Sequence, residues 1–105
     1  MSAKFLHIVY FYPAENGTPE DANQLAAGCQ KYLAGIPGVT RLQVGFPAGT
    51  PRDVVDNSYA VALLVELTDT HAHDVYQDHP DHNAFIAECR QYWSRVQIYD
   101  SFLAE

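Results

Sequence analysis

Two segments of this chain are apolar on both sides of an extended strand, and that pattern limits the folds open to it. In residues 4–12, KFLHIVYFY, the side chains of Phe5, His7, Val9 and Phe11 share one side, and those of Leu6, Ile8, Tyr10 and Tyr12 share the other. Residues 58–67 repeat the pattern, with Tyr59, Val61, Leu63 and Val65 alternating with Ala60, Ala62 and Leu64. A strand with no polar side lies between two covering layers. A sheet built around these segments needs helices on one side and a second cover on the other.

The helices are legible in the same way. Thr18 is placed as an N-cap, with Pro19 at the first helical position and Glu20 and Asp21 in the first turn, where the helix dipole favours acids. Ala22, Leu25, Ala26, Cys29 and Leu33 form one apolar stripe, which predicts a helix to about Ala34 with Gly35 placed to stop it. Pro37 and Gly38 turn the chain into a strand over Val39–Phe46, and residues 47–57, PAGTPRDVVDN, read as an exposed loop of the kind that shapes pockets. Asp69 is placed to cap a short helix through Tyr76, with Ala72, Val75 and Tyr76 inward and His71, His73 and Asp74 outward. Pro80 starts a last helix whose inward face is His82, Phe85, Ile86, Cys89 and Trp93. A closing strand over Val96–Leu103 carries Val96, Ile98, Asp100 and Phe102 on one side. This βαββαβ order predicts a single α+β domain over residues 1–105 of ferredoxin-like form, a four-stranded antiparallel sheet with the helices on one face. The other apolar face is expected to meet a second copy, sheet to sheet.

Composition bears on partners. Apolar residues make up 48% of the chain and charged residues 18%, a lean surface that fits an apolar face covered by a homodimer partner. The net charge of -7, with six scattered cations, argues against nucleic acid or an anionic membrane as partner. No apolar run reaches the roughly 18 residues of a membrane span. Met1-Ser2-Ala3-Lys4 leads directly into a strand pattern without a signal-peptide region, so a cytoplasmic location is expected. Cys29 and Cys89 both fall on inward helix faces and read as buried free thiols rather than a disulfide. Asn16-Gly17-Thr18 matches a glycosylation sequon but reads as a turn and cap.

The segment His71–Phe85, HAHDVYQDHPDHNAF, holds four of the five histidines. His82 is the third residue of a helix begun by Pro80, where the positive helix end disfavours imidazolium. A neutral imidazole against an apolar wall is a competent base near pH 7. Tyr76 is placed to donate a hydrogen bond to a developing oxyanion or to that imidazole, and His7 has apolar company on the first strand. The same residues also fit a purely structural role in which Tyr76 and His82 bond each other and stitch the helices together. His79 precedes proline, is held extended and suits a cap. The His and Asp residues of the segment match no structural zinc spacing and fall on different helical faces, so no metal site is expected. Neither cysteine has a cationic neighbour that would make it a nucleophile.

His7-Ile8-Val9, Ile36-Pro37-Gly38-Val39, and Tyr76 followed by His79-Pro80-Asp81-His82 and Phe85 together resemble the stress-responsive A/B barrel domain (Dabb) family. The likeness spans nearly the whole chain. It implies a dimeric α+β barrel of ferredoxin-like subunits with a pocket for a small, largely apolar, oxygenated molecule. A plant branch of the family consists of cofactor-free polyketide cyclases that close a linear polyketide by aldol condensation. Carried over by position, the resemblance makes His82 the base and Tyr76 its orienting or enolate-stabilising partner, with no cofactor. His7, Val9, Phe11, Leu25, Cys29, Leu63, Phe85, Val96 and Ile98 would then contact substrate. This chain departs from that branch at Val61, where the cyclases carry a histidine, and has Tyr12 where many members have lysine. The resemblance also admits a non-catalytic, stress-associated ligand-binding protein. Antibiotic-biosynthesis and haem-degrading monooxygenases share the dimeric architecture and supply a third reading, by analogy of fold.

Overall fold

The two strands without a polar side become the two central strands of one sheet. The computed structural model describes residues 3–104. In chain order the elements are β1 (Phe5–Pro13), α1 (Pro19–Leu33), β2 (Val39–Gly45), β3 (Val61–Leu67), α2 (Thr70–Asp78), α3 (Pro80–Cys89) and β4 (Trp93–Phe102). The sheet runs β2-β3-β1-β4, and every neighbouring pair is antiparallel. This is the expected ferredoxin-like arrangement. Only β1 and β3 have a hydrogen-bonded neighbour on both edges, so only they need to be apolar throughout.

The helix starts follow from local chemistry. The Thr18 hydroxyl accepts a hydrogen bond from the Asp21 amide at 3.2 Å, and the Asp21 carboxylate accepts one from the Thr18 amide at 3.1 Å. This reciprocal box satisfies two amides that the first helical turn leaves free. Asp69 accepts from the Ala72 amide at 2.8 Å to begin α2, and His79 Nδ1 accepts from the Asp81 amide at 3.0 Å to begin α3. His79 is therefore the cap its place before proline suggested. The sequon segment is a turn, with Asn16 at φ 61° and the Gly17 amide donating to the Ala14 carbonyl at 2.9 Å.

Glycine is required at two close approaches. Gly38, at φ 94°, turns the chain into β2, and a Cβ there would lie 2.7 Å from the Ala72 side chain. At Gly28 a Cβ would collide with the Cys89 sulfur, so α1 and α3 meet where α1 has no side chain. The core between helices and sheet is built from Leu25, Cys29 and Leu33 of α1, alternate residues of β1 and β3, and Ala72, Tyr76, Phe85 and Cys89. Both cysteines are buried and free.

Three expectations need correction. Trp93 does not continue the last helix: a 3-10 turn at Arg90–Tyr92 ends it, and Trp93 is the first residue of β4, paired with Pro13. The third strand starts at Val61 rather than Ser58, because the chain bends at Ala60, whose amide donates to the Phe11 carbonyl of β1. Val75 is on the outside of α2, 39% exposed, and His73 takes the inward place instead. The end of α1 is as expected, at Leu33 with Ala34 as cap and Gly35 next, and the chain leaves through a turn in which the Ile36 amide donates to the Leu33 carbonyl.

The helices cover β1 and β3 but leave the same side of β4 open. Val96, Ile98 and Phe102, which pair with Phe11, Val9 and Phe5, are 39%, 42% and 62% exposed. On the opposite side of the sheet, Ile8 pairs with Leu64 and Tyr99, and Tyr10 pairs with Ala62. Together with Leu6 they form an apolar band, flanked by Gln43 on β2 and Gln97 and Ser101 on β4. Among the described residues no helix is long and apolar enough to cross a membrane.

Candidate functional site

A cavity of about 120 Å³ opens between the inner side of the sheet and helices α2 and α3. Its walls come from β1 (His7, Val9, Phe11), β3 (Leu63), β4 (Trp93, Val96, Ile98), α1 (Leu33), α2 (Tyr76, Gln77) and α3 (His82, Phe85, Ile86). The open side of β4 described above forms part of its mouth. Of the residues expected to contact a ligand, all line this cavity except Leu25 and Cys29, which lie fully buried in the core beneath it. Leu33, Gln77, Ile86 and Trp93 join the lining in addition.

Three polar groups of the cavity, His7, Tyr76 and His82, lie in a row. The rings of His7 and Tyr76 are 5.6 Å apart and those of Tyr76 and His82 are 5.1 Å apart, each pair edge to face. These geometries pack rings without a hydrogen bond between them. The Tyr76 ring is almost wholly buried, yet no buried side-chain polar atom among the described residues lacks a partner. Its hydroxyl makes no hydrogen bond among those residues and so keeps some accessible surface, and Tyr76 is part of the cavity lining.

Burial sets the protonation of all three. It raises the Tyr76 phenol well above its usual value, with the nearby Cys29 thiol adding to the shift, so the group is a neutral donor. The His82 imidazole is lowered from 6.5, first by burial and then by the nearby His7, against a weaker opposing pull from Asp78. His7 is lowered as well, because burial outweighs the hydrogen bond and charge of Asp100. Near pH 7 the cavity therefore presents two neutral imidazoles and one neutral phenol within an apolar wall. Burial also pushes the two core thiols up, Cys29 to about 12 and Cys89 to about 11, which keeps both from acting as nucleophiles.

Sequence reasoning missed two residues beside this row. Asp100 lies opposite His7 in the β1–β4 register, and its Oδ1 is 2.7 Å from His7 Nδ1. His73, expected on the solvent side, stacks on Phe5 at 4.3 Å between ring centres and sits 4.9 Å from the His7 ring. The signal for Asp100 was present in the sequence: an acid alternating with Val96, Ile98 and Phe102 on an inward strand face calls for a polar partner.

A model of the family described as Stress responsive A/B Barrel Domain matches residues 5–103. Among solved structures, a dimeric ferredoxin-like protein of unknown function from Thermobifida fusca is 24% identical with a TM-score of 0.81, covering 98% of this chain and 93% of its own. The hydroxynitrile lyase of Passiflora edulis superposes with a TM-score of 0.82 at 12% identity, over 100% of this chain and 97% of that one. A cofactor-independent oxygenase from Streptomyces nogalater has a TM-score of 0.71 at 16% identity, over 99% and 96% of the two chains. At these identities the likeness to solved structures is one of fold. No protein of curated function matches the chain in sequence.

Proposed function

Since the chain belongs to the stress-responsive A/B barrel domain family, we propose that its cavity binds a small, largely apolar carbonyl compound and removes a proton from the carbon beside the carbonyl. One observation carries this reading: His82, a neutral imidazole, and Tyr76, a phenol whose hydroxyl has no hydrogen-bond partner among the described residues, line the same apolar cavity. His82 takes the proton, and the Tyr76 hydroxyl donates a hydrogen bond to the enolate oxygen as charge develops there. The buried side chains of Val9, Phe11, Leu63 and Phe85 give the reacting carbon an apolar wall, which strengthens that hydrogen bond. No cofactor is required by these steps. The Streptomyces oxygenase is an instance of this architecture hosting chemistry without a cofactor, and the Passiflora enzyme of it hosting a lyase.

The test is deuterium incorporation. The protein is incubated in heavy water with a panel of aryl and alkyl β-dicarbonyl compounds, and exchange at the carbon between the carbonyls is followed by proton NMR. Exchange above the uncatalysed rate is expected for at least one member. If none exchanges faster than background while one or more raise the melting temperature, the catalytic reading fails and a binding function remains. That second reading is favoured by His82 itself, which has no hydrogen-bonding side chain to orient it among the described residues.

We further propose that the apolar band on the outer side of the sheet meets its equivalent on a second copy. An apolar centre of Leu6, Ile8, Tyr10 and Leu64 within a polar rim has the anatomy of a subunit interface. The Thermobifida relative is described as dimeric. Leu64→Glu is expected to halve the mass measured by light scattering, because it places a carboxylate in the middle of the band. A Leu64→Glu protein that keeps the wild-type mass excludes this face as the interface.

A further inference from the structure

We propose that His7, His73 and Asp100 form a binding site for a divalent transition ion of the zinc type at the β1–β4 side of the cavity. Among the described residues these three offer one ligand atom each, all within 4.8 Å of one another. His7 Nδ1 is 2.7 Å from one carboxylate oxygen of Asp100, and His73 Nε2 is 4.0 Å from the other. Two imidazoles and a carboxylate on one side of an ion is a donor set that zinc and ferrous iron both accept, leaving positions open for water or a ligand oxygen. Ligand atoms around a tetrahedral zinc lie roughly 3.3 Å apart, since each bond is about 2.0–2.1 Å, so sub-ångström side-chain movements convert this cluster into a coordination shell.

The three groups come from three elements, and each is held for a separate reason. His7 is buried on a central strand and Asp100 is fixed opposite it by the strand register. His73 lies on α2 and is oriented by stacking on Phe5, with ring planes inclined by 20°. The Gln77 side-chain amide sits 2.8 Å from His73 Nε2. An ion would take the place of that contact. Asp100 is partly exposed, which gives the ion a path from solvent.

The experiment uses the full chain without an affinity tag, stripped of metal with a chelator. Titration with Co²⁺ is expected to give visible ligand-field absorption saturating at one ion per chain, and Zn²⁺ is expected to abolish it by displacement. His73→Ala and Asp100→Asn are each expected to weaken Co²⁺ binding at least about tenfold, while His71→Ala, on the solvent side of the same helix, leaves it unchanged. Circular dichroism of each variant establishes that the fold is retained, and the Asp100→Asn change preserves side-chain size where His73→Ala does not. Absence of a saturable spectrum in the wild-type protein overturns the site. So does binding that survives both ligand substitutions in folded protein.

Discussion

His82→Ala is expected to lower the rate of the proposed proton abstraction by about 10²- to 10⁴-fold, the span typical of a positioned general base. The substitution removes a ring that is only partly buried and hydrogen-bonded to no side chain among the described residues, so folding should be little affected. Tyr76→Phe should also slow the reaction, with less effect on ligand binding, because it removes a hydrogen bond that strengthens only as the enolate forms. The pH dependence distinguishes this assignment from others. His82 works as a base only when neutral, and its folded value lies below 6.5. Activity should therefore rise with pH through a midpoint below 6.5 and be flat above it. An acidic limb centred at or above 6.5 would assign the base to another group. The same shift has a stability consequence of fixed sign. Between the lowered folded value and the unfolded value of 6.5, the unfolded chain binds more protons than the folded one. The contribution of His82 to stability is complete above that window and is lost as the pH falls through it.

Phe85→Ala should cost about 3–5 kcal/mol of folding stability, measured by chemical denaturation. Phe85 is 2% exposed and joins three elements: its ring stacks with Trp93 of β4 at 5.8 Å and meets Phe11 of β1 edge to face at 6.1 Å. It also faces the position that Gly28 leaves open on α1, where it neighbours the Cys89 sulfur. Truncation leaves a void that fixed strands on one side and a helix pair on the other have little freedom to fill. Against a total of about 5–15 kcal/mol for a domain, that loss takes a large share. Phe85→Leu, which retains most of the volume, should cost clearly less. Equal costs for the two variants would place the loss in something other than packing.

The sheet and most of the helix starts were legible in the sequence because they rest on signals a few residues long. Alternation along β1 and β3, the box at Thr18 and Asp21, and the prolines at positions 19 and 80 each act locally, and each is found in the fold. The missed placements depended on partners distant in sequence. Trp93 continues the four-residue spacing of Phe85 and Cys89, so periodicity alone extends the helix through it. Pairing with the end of β1 wins instead, and the indole still reaches Phe11 and Phe85 because the strand leaves directly from the helix end.

His73 and Val75 pose a subtler problem. On a helix whose inward residues are Ala72 and Tyr76, both positions lie roughly 80° from the centre of the buried face, on opposite sides. Hydrophobicity favours Val75. The fold favours His73, because that flank meets the Phe5 ring and the Asp100 carboxylate while the other meets solvent. No local pattern contains that information. The Tyr76–His82 part of the site was readable from one helical segment; the His7–His73–Asp100 part required knowing which strands are neighbours.

The contact between His7 and Asp100 also bears on how the last strand finds its alignment. β4 is an edge strand with one neighbour, and its inner side is only partly covered, so hydrophobic burial holds its alignment weakly. A slip by one residue would set Tyr99 or Ser101 against His7 and turn Val96, Ile98 and Phe102 to the opposite side of the sheet. It would also carry the carboxylate away from a buried imidazole nitrogen that has no other side-chain partner among the described residues. A polar pair in an apolar setting thus acts as a registration mark: the misaligned sheet is penalised at one point even where its apolar contacts could be approximately remade.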